Sequence, residues 1–148
     1  MDLPAKGGCR CGRLRFEITA PPLLTNACHC RGCQKMTGGP FSLSIAIPAS
    51  DFRLVAGEDG PGGVDHSFGH RFCMNCLSWV FTRPPGVEAS VNARTTMLDN
   101  VPAEPPFVET CAAERLGWVH TGARHSAPAF PEAEQWGELV EAFAASRV

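Results

Sequence analysis

The sequence predicts a mainly β fold of short strands, clipped together at its turns, with one helix at the C-terminal end. Three observations carry that expectation. Glycine (15) and proline (13) together make up about a fifth of the 148 residues, against an ordinary share of about 12%, and neither is tolerated well inside long helices. Apolar and polar residues alternate in several short runs, the period of half-buried strands. Seven of the eight cysteines fall into three tight clusters with turn-like spacing.

The elements follow in order. Leu14, Phe16 and Ile18 alternate with Arg15, Glu17 and Thr19, a strand that starts straight after the first cysteine pair and ends at Pro21-Pro22. The segment from Asn26 to Lys35, which carries the second cluster, reads as a loop or short turn. Phe41, Leu43, Ile45 and Ile47 alternate with Ser42, Ser44 and Ala46 until Pro48 closes the strand, and Phe52, Leu54 and Ala56 alternate again. Gly57 to Gly63 reads as a polar, glycine-rich turn. Ser67 to Phe72 leads into the third cluster and Ser78 to Thr82 leads out, a hairpin with Cys73-Met74-Asn75-Cys76 at its tip. Val87 to Val91 and Leu116 to Val119 read as weaker strands. At the C-terminal end, Pro131 suits a first helical position, and Glu132 and Glu134 suit the positive helix N-terminus. Trp136, Leu139, Val140 and Phe143 recur at i, i+3, i+4 and i+7, an apolar face expected to pack into the core.

The length suits a single domain over residues 1–148, able to bury its own core. A composition of 44% hydrophobic and 19% charged residues excludes dominant disorder. The formal net charge of −2 lacks the basic excess of a phosphate-contacting nucleic-acid binder. No apolar run reaches the roughly 18 residues of a membrane span. Met1 to Gly8 has one lysine and no apolar stretch, unlike a signal peptide. The expected setting is cytoplasmic and reducing.

The clusters are Cys9 with Cys11, Cys28 with Cys30 and Cys33, and Cys73 with Cys76; Cys111 stands apart. Disulfides are disfavoured by a reducing compartment. Extended partners at i and i+2 also lie roughly 6.6 Å apart on one face, where a bridge is strained. Zinc fits better, since it takes thiolates at tetrahedral corners with Zn–S of about 2.3 Å. Seven cysteines divide as four plus three. Cys9, Cys11, Cys73 and Cys76 could make one closed site, and Cys28, Cys30 and Cys33 would then supply three ligands to a second ion and leave one corner open, where chemistry occurs. Spacing leaves a second pairing open, with the first cluster joined to the second. Iron–sulfur is disfavoured, because Cys-x-Cys matches ferredoxin spacings poorly. Cys111 reads as a small buried hydrophobe, or else as the ligand that completes the open site.

Arg31 and Lys35 are the cations nearest in sequence to the open site, and Arg53, Arg71 and Arg94 are further candidates; each is otherwise an ordinary surface charge. Arg10, Arg13 and Arg15 flank the first pair. His29, between two candidate ligands, suits a proton relay, a hydrogen-bond partner or a part in positioning the turn. His66, His70, His120 and His125 show no ligand pattern.

Gly7-Gly8-Cys9-Arg10-Cys11-Gly12, then Cys28-His29-Cys30-Arg31-Gly32-Cys33-Gln34-Lys35, Gly38 and Phe41, then Phe72-Cys73-Met74-Asn75-Cys76 resembles the glutathione-dependent formaldehyde-activating family, which includes the domain of centromere protein V. The resemblance continues through Leu98-Asp99 and Trp118. It implies a β-tent of short antiparallel strands clipped by zinc, a structural zinc on Cys9, Cys11, Cys73 and Cys76, and a catalytic zinc on Cys28, Cys30 and Cys33. It further implies a carbon–sulfur lyase of the S-(hydroxymethyl)glutathione synthase type, with glutathione and formaldehyde as partners. Arg31 and Lys35 then become candidates for the two carboxylates of glutathione. Leu77 departs from the family, many of whose members carry a glycine there; glycine permits a left-handed turn residue, so the knuckle backbone is expected to differ slightly. The alternatives are a zinc-stabilised protein-binding module and a thiol redox or zinc sensor.

Overall fold

The computed structural model describes residues 1–64 and 66–147; Asp65 and Val148, the last residue of the expected domain, lie outside the described residues. The strands are β1 (Ala5–Gly8), β2 (Arg15–Ile18), β3 (Leu24–Cys28), β4 (Ser42–Pro48), β5 (Phe52–Ala56), β6 (Asp59–Pro61), β7 (His70–Cys73), β8 (Trp79–Thr82), β9 (Ser90–Arg94), β10 (Val108–Thr110) and β11 (His125–Ser126). The helices are α1 (Arg31–Thr37) and α2 (Ala133–Ala145). The fold is mainly β, as expected, with a C-terminal helix. Among the described residues no helix is long and apolar enough to cross a membrane.

The chain divides into two compact units, Met1–Pro22 with Ile45–Pro102 and Leu23–Ser44 with Ala103–Val148. In the first unit, β1, β2 and β5 form an antiparallel sheet, with Gly7 opposite Phe16 and Ile18 opposite Phe52. A second ladder there runs from β9 through β8 and β7 to β6, all antiparallel. Alternation sends Phe16 and Ile18 inward, where they join Ile45, Ile47, Phe52, Val80, Phe81 and Val91. The rings of Phe16 and Phe52 lie 5.2 Å apart, and those of Phe52 and Phe81 4.9 Å apart. In the second unit, β10 pairs parallel with both β3 and β11, a departure from the expected antiparallel pattern.

Other elements also depart from the sequence reading. The segment from Asn26 to Lys35 is the end of β3 followed by α1, whose N-cap is the thiol of Cys30, a cap that the usual Ser, Thr, Asp or Asn signal misses. β6 forms inside the glycine-rich stretch from Gly57 to Gly63 and pairs with β7. The strand read at Val87 to Val91 starts only at Ser90, because Val87 closes a turn by donating to the Pro84 carbonyl. Leu116 to Val119 is a turn rather than a strand, closed by Val119 N–H on the Leu116 carbonyl. In β4 the buried face slips, with Ser42, Ser44, Ile45 and Ile47 buried and Leu43 only partly so. Pro131 precedes the N-cap Glu132, which makes a capping box with Gln135. The apolar face of α2 is half-buried rather than core, with Phe143 against the Phe107 ring at 5.2 Å and Trp136 against Phe130 at 5.3 Å.

Close packing of backbone on ring explains Gly7. A Cβ there would stand 2.4 Å from Phe16 Cζ and 2.5 Å from the Met97 carbonyl oxygen. Gly7→Ala is expected to cost about 1–3 kcal/mol through overpacking, read as a lower urea midpoint at unchanged slope. An unchanged midpoint would show that β1 shifts freely.

Candidate metal centres

In the first unit, two turns present four thiols to one another. One is Cys9–Gly12 between β1 and β2, closed by Gly12 N–H on the Cys9 carbonyl at 3.0 Å. The other is Cys73–Cys76 between β7 and β8, closed by Leu77 N–H on the Cys73 carbonyl at 2.9 Å. The Sγ atoms of Cys9, Cys11, Cys73 and Cys76 all lie within 4.8 Å of one another. Cys9 to Cys11 is 3.4 Å and Cys11 to Cys73 is 3.9 Å, close to the ~3.8 Å that Zn–S bonds of about 2.3 Å impose between tetrahedral corners. Donors already point at the sulfurs. Leu14 N–H meets Cys9 at 3.3 Å, Asn75 N–H meets Cys73 at 3.4 Å, and Asn75 Nδ2 meets Cys11 at 3.4 Å. The Ser78 hydroxyl lowers the Cys76 thiol to about 5. Four thiols with this spacing and these donors fit a tetrahedral cation of the zinc type.

The knuckle keeps a left-handed residue at Leu77, with φ of 57°, so the expected backbone difference does not occur at that position. The turn geometry overrides the residue type. Because Leu77 is 68% exposed, its side chain contributes little packing.

In the second unit, Cys28, Cys30 and Cys33 form a group within 4.8 Å. Cys28 ends β3, Cys30 caps α1, and Cys33 lies in the first turn of that helix, its N–H donating to Cys30 Sγ at 3.3 Å. The Cys33 thiol donates to Cys28 and holds it well below the ordinary thiol range, assisted by the Cys30 N–H and by Thr110. Bonding to that thiolate and burial push Cys33 up; burial pushes Cys30 up. The cluster thus sheds one proton readily and resists further loss, and a divalent cation is what lets all three thiols ionise. Cys111, buried and left-handed at φ 54°, follows the register partner of Cys28. Burial, then the neighbouring Cys28 charge, push its thiol up to about 12.

The candidate cations divide. Arg31 and Lys35 are exposed on α1 beside the trio; the Arg31 N–H donates to Glu114 Oε2 at 2.8 Å and its guanidinium donates to Gln34 Oε1 at 2.6 Å. Arg53, Arg71 and Arg94 belong to the first unit, where Arg53 pairs with Glu17, Arg71 pairs with Asp59, and Arg94 stacks on Trp79 at 4.0 Å. Sequence reasoning passed over Gln34 and Glu109. Gln34, buried on α1, donates to the His29 carbonyl at 2.6 Å and the Glu114 carbonyl at 3.0 Å. Burial would raise the Glu109 carboxyl, but hydrogen bonds from Thr121, Ser126 and His29 and the Arg115 charge outweigh it and hold it below the usual range. A lone acid in a three-residue strand gave no warning of this.

The left-handed Leu77 generates a prediction. A left-handed L-residue costs roughly 1–2 kcal/mol, so Leu77→Gly is expected to stabilise by about 1 kcal/mol and raise Tm by about 2–4 °C, measured by thermal melting of zinc-loaded protein. A fall in Tm would mean that Leu77 makes contacts in solution that offset the strain.

The family model described as glutathione-dependent formaldehyde-activating enzyme matches residues 4–114, a stretch that holds every cysteine. The solved structure of a Rhodobacter sphaeroides protein is similar with a TM-score of 0.52, covering 66% of this chain and 91% of that one at 21% identity, a likeness of fold alone. With three quarters of its length matched and both thiol groups inside the match, the chain belongs to the glutathione-dependent formaldehyde-activating enzyme family.

Proposed function

We propose that the chain is a zinc-dependent carbon–sulfur lyase of the S-(hydroxymethyl)glutathione synthase type, acting on glutathione and an aldehyde such as formaldehyde. The observation that carries this reading is the three-thiol group of Cys28, Cys30 and Cys33. Three protein ligands leave one tetrahedral corner for a substrate thiol. Bound there, zinc supplies deprotonation of that thiol. The group of Cys9, Cys11, Cys73 and Cys76 offers four ligands and is the structural site in this reading. Eight free cysteines suit a reducing, cytoplasmic setting.

The sulfur of glutathione adds to the aldehyde carbon, and the thiol proton ends on the new hydroxyl; the reverse step breaks that carbon–sulfur bond. A free thiol of pKa about 8.5 is about 3% ionised at pH 7. Full ionisation is therefore worth about 30-fold, or about 2 kcal/mol, less what the bound thiolate loses in nucleophilicity. Thiols add to formaldehyde unaided, so most of the gain comes from holding both reactants together. Arg31 and Lys35, exposed on α1, are the groups proposed to meet the carboxylates of glutathione.

One observation favours a second reading. Cys111 sits close enough to Cys28 to feel its charge. A fourth thiolate from Cys111 would close the site and favour a zinc-stabilised binding module over an enzyme. Exchange NMR of glutathione with formaldehyde separates the two, run beside zinc analysis. The lyase reading expects about two zinc per chain, exchange faster with protein, loss of that acceleration in Cys28→Ser, and little change in Cys111→Ser. No acceleration by wild type, together with loss of zinc in Cys111→Ser, would establish the closed site instead.

A further inference from the structure

The second unit buries a charged cluster that the reaction above does not use. Glu109, in the middle of β10, is 4% exposed. A buried carboxylate needs partners, and Glu109 has four. Oε2 accepts from His29 Nε2 at 3.0 Å and Thr121 Oγ1 at 2.8 Å. Oε1 accepts from Arg115 Nη1 at 2.5 Å and Ser126 Oγ at 2.9 Å. Arg115, Thr121 and Ser126 all lie beyond residues 4–114, the part that the family model matches.

The remaining partner, His29, is the residue between Cys28 and Cys30, and it is fully buried. Its backbone is tied at both ends, the N–H to the Thr110 carbonyl at 3.0 Å and the carbonyl to Gln34 Nε2 at 2.6 Å. Its ring packs edge-on to Phe41 with centroids 5.4 Å apart. Among the described residues the ring makes one hydrogen bond, the one to Glu109; Nδ1 is buried without a partner. An ionised carboxylate can only accept, so Nε2 carries the proton that it donates. Glu109 therefore sets the tautomer and the angle of this ring. The ring points into the Glu109 cluster, and neither of its nitrogens belongs to the thiol group.

We propose that Glu109 is a positioning residue for the three-cysteine metal centre, holding His29 as the Nε2–H tautomer and so fixing the turn that aims Cys28 and Cys30. Arg115, Thr121 and Ser126 keep the carboxylate in place, which makes the segment after residue 114 part of the centre's support. The inference rests on the reading that Cys28, Cys30 and Cys33 bind a metal ion. Groups that hydrogen-bond a metal's own ligands typically change its affinity by about 10–100-fold; Glu109 acts one residue further out, through His29, so an effect near the low end of that range is expected. Glu109→Gln keeps the shape but has one acceptor oxygen; Arg115 can only donate and claims that oxygen, which leaves the NH2 group facing His29 Nε2, so the Nε2–H tautomer loses its acceptor.

The test titrates Co2+ into metal-free wild type and Glu109→Gln, follows the thiolate-to-cobalt absorption, and measures each site's affinity by chelator competition. The 15N shifts of the His29 ring report its tautomer independently. The expected result is two sites in both proteins, the weaker one, which is the three-thiol group because it has one protein ligand fewer, loosened about 10-fold in Glu109→Gln, the tighter four-thiol one unchanged, and the His29 nitrogens shifted toward a mixed tautomer. Thr121→Val removes one donor to the carboxylate, together with the acceptor that Ala123 N–H meets at 3.3 Å, without touching His29, and is expected to loosen the weaker site by up to about 5-fold; it decides the matter if Glu109→Gln does not fold. Equal affinity and an unchanged tautomer in the variants would overturn the positioning role while leaving the metal site intact. Equal weakening of both sites would overturn it in favour of a general effect on stability. A wild type that binds one Co2+ alone would overturn both the inference and the reading beneath it.

Discussion

A thiolate held in a turn has to be met by donors, and both cysteine groups are built around that requirement. Sulfur is a weak acceptor as a thiol and a much stronger one once charged. The backbone of each turn is folded so that an N–H two, three or five residues along faces the sulfur, as Asn75 faces Cys73, Cys33 faces Cys30 and Leu14 faces Cys9. The second turn also holds a left-handed backbone at Leu77, whose N–H closes it on the Cys73 carbonyl, where a glycine would adopt that conformation without strain. The same requirement explains why α1 starts where it does. The thiol of Cys30 takes the place of an ordinary capping oxygen, so a single side chain ends the loop, starts the helix and supplies a candidate ligand.

What the sequence made legible was local. Ligand spacing, the hairpin at Cys73–Cys76 and the alternation in Arg15–Ile18 and Phe52–Ala56 are written within a few residues, and the structure has strands at each. The pairing of clusters is a long-range fact. It follows from β1–β2 and β7–β8 lying in one unit, which brings Cys9 and Cys11 to Cys73 and Cys76, one of the two pairings that spacing left open. β6, β10 and β11 have three, three and two residues, too few for a period to register, and β1, Ala-Lys-Gly-Gly, has glycines where an alternation would need side chains. Glu109 was illegible for the same reason, because a charged residue in Val-Glu-Thr reads as the outward face of a strand until its partners at Arg115, Thr121 and Ser126 are seen. The slip in β4 was illegible too, since the alternation is regular while the burial is not.

Several residues that carry the family resemblance are scaffold rather than chemistry. Gly7 lets β1 approach Phe16 and Met97, and Leu98 bridges back to Gly7 while staying buried. Asp99 receives Arg15 at 2.9 Å, and its N–H donates to the Lys6 carbonyl at 2.9 Å, so the Leu-Asp pair locks the start of the chain beside the first cysteine turn. Gln34 ties α1 to the His29 carbonyl. These residues position thiols through backbone and packing. The pattern is therefore a strong indicator of the metal-binding frame and a weak one of the substrate, because none of these contacts reads an aldehyde or a tripeptide.

The identity of the fourth partner at Cys28, Cys30 and Cys33 decides between chemistry and structure, and the second unit limits the candidates. His29 is adjacent in sequence, but it follows the last residue of β3 and its proton-bearing nitrogen is committed to Glu109. Cys111 is near Cys28, but its sulfur is not part of the group in which each atom lies within 4.8 Å of every other. Its backbone is held where it is by the Glu114 N–H on the Cys111 carbonyl and by its own N–H on the Ala129 carbonyl. Its thiol meets Cys28 through a side-chain hydrogen bond, so Cys111 stands at the edge of the group rather than apart from it. His29 is withheld from the thiol group by Glu109, so in the proposed reading the fourth corner goes either to Cys111, which would close the site, or to a thiol from outside the chain, and the Glu109 cluster removes one internal competitor.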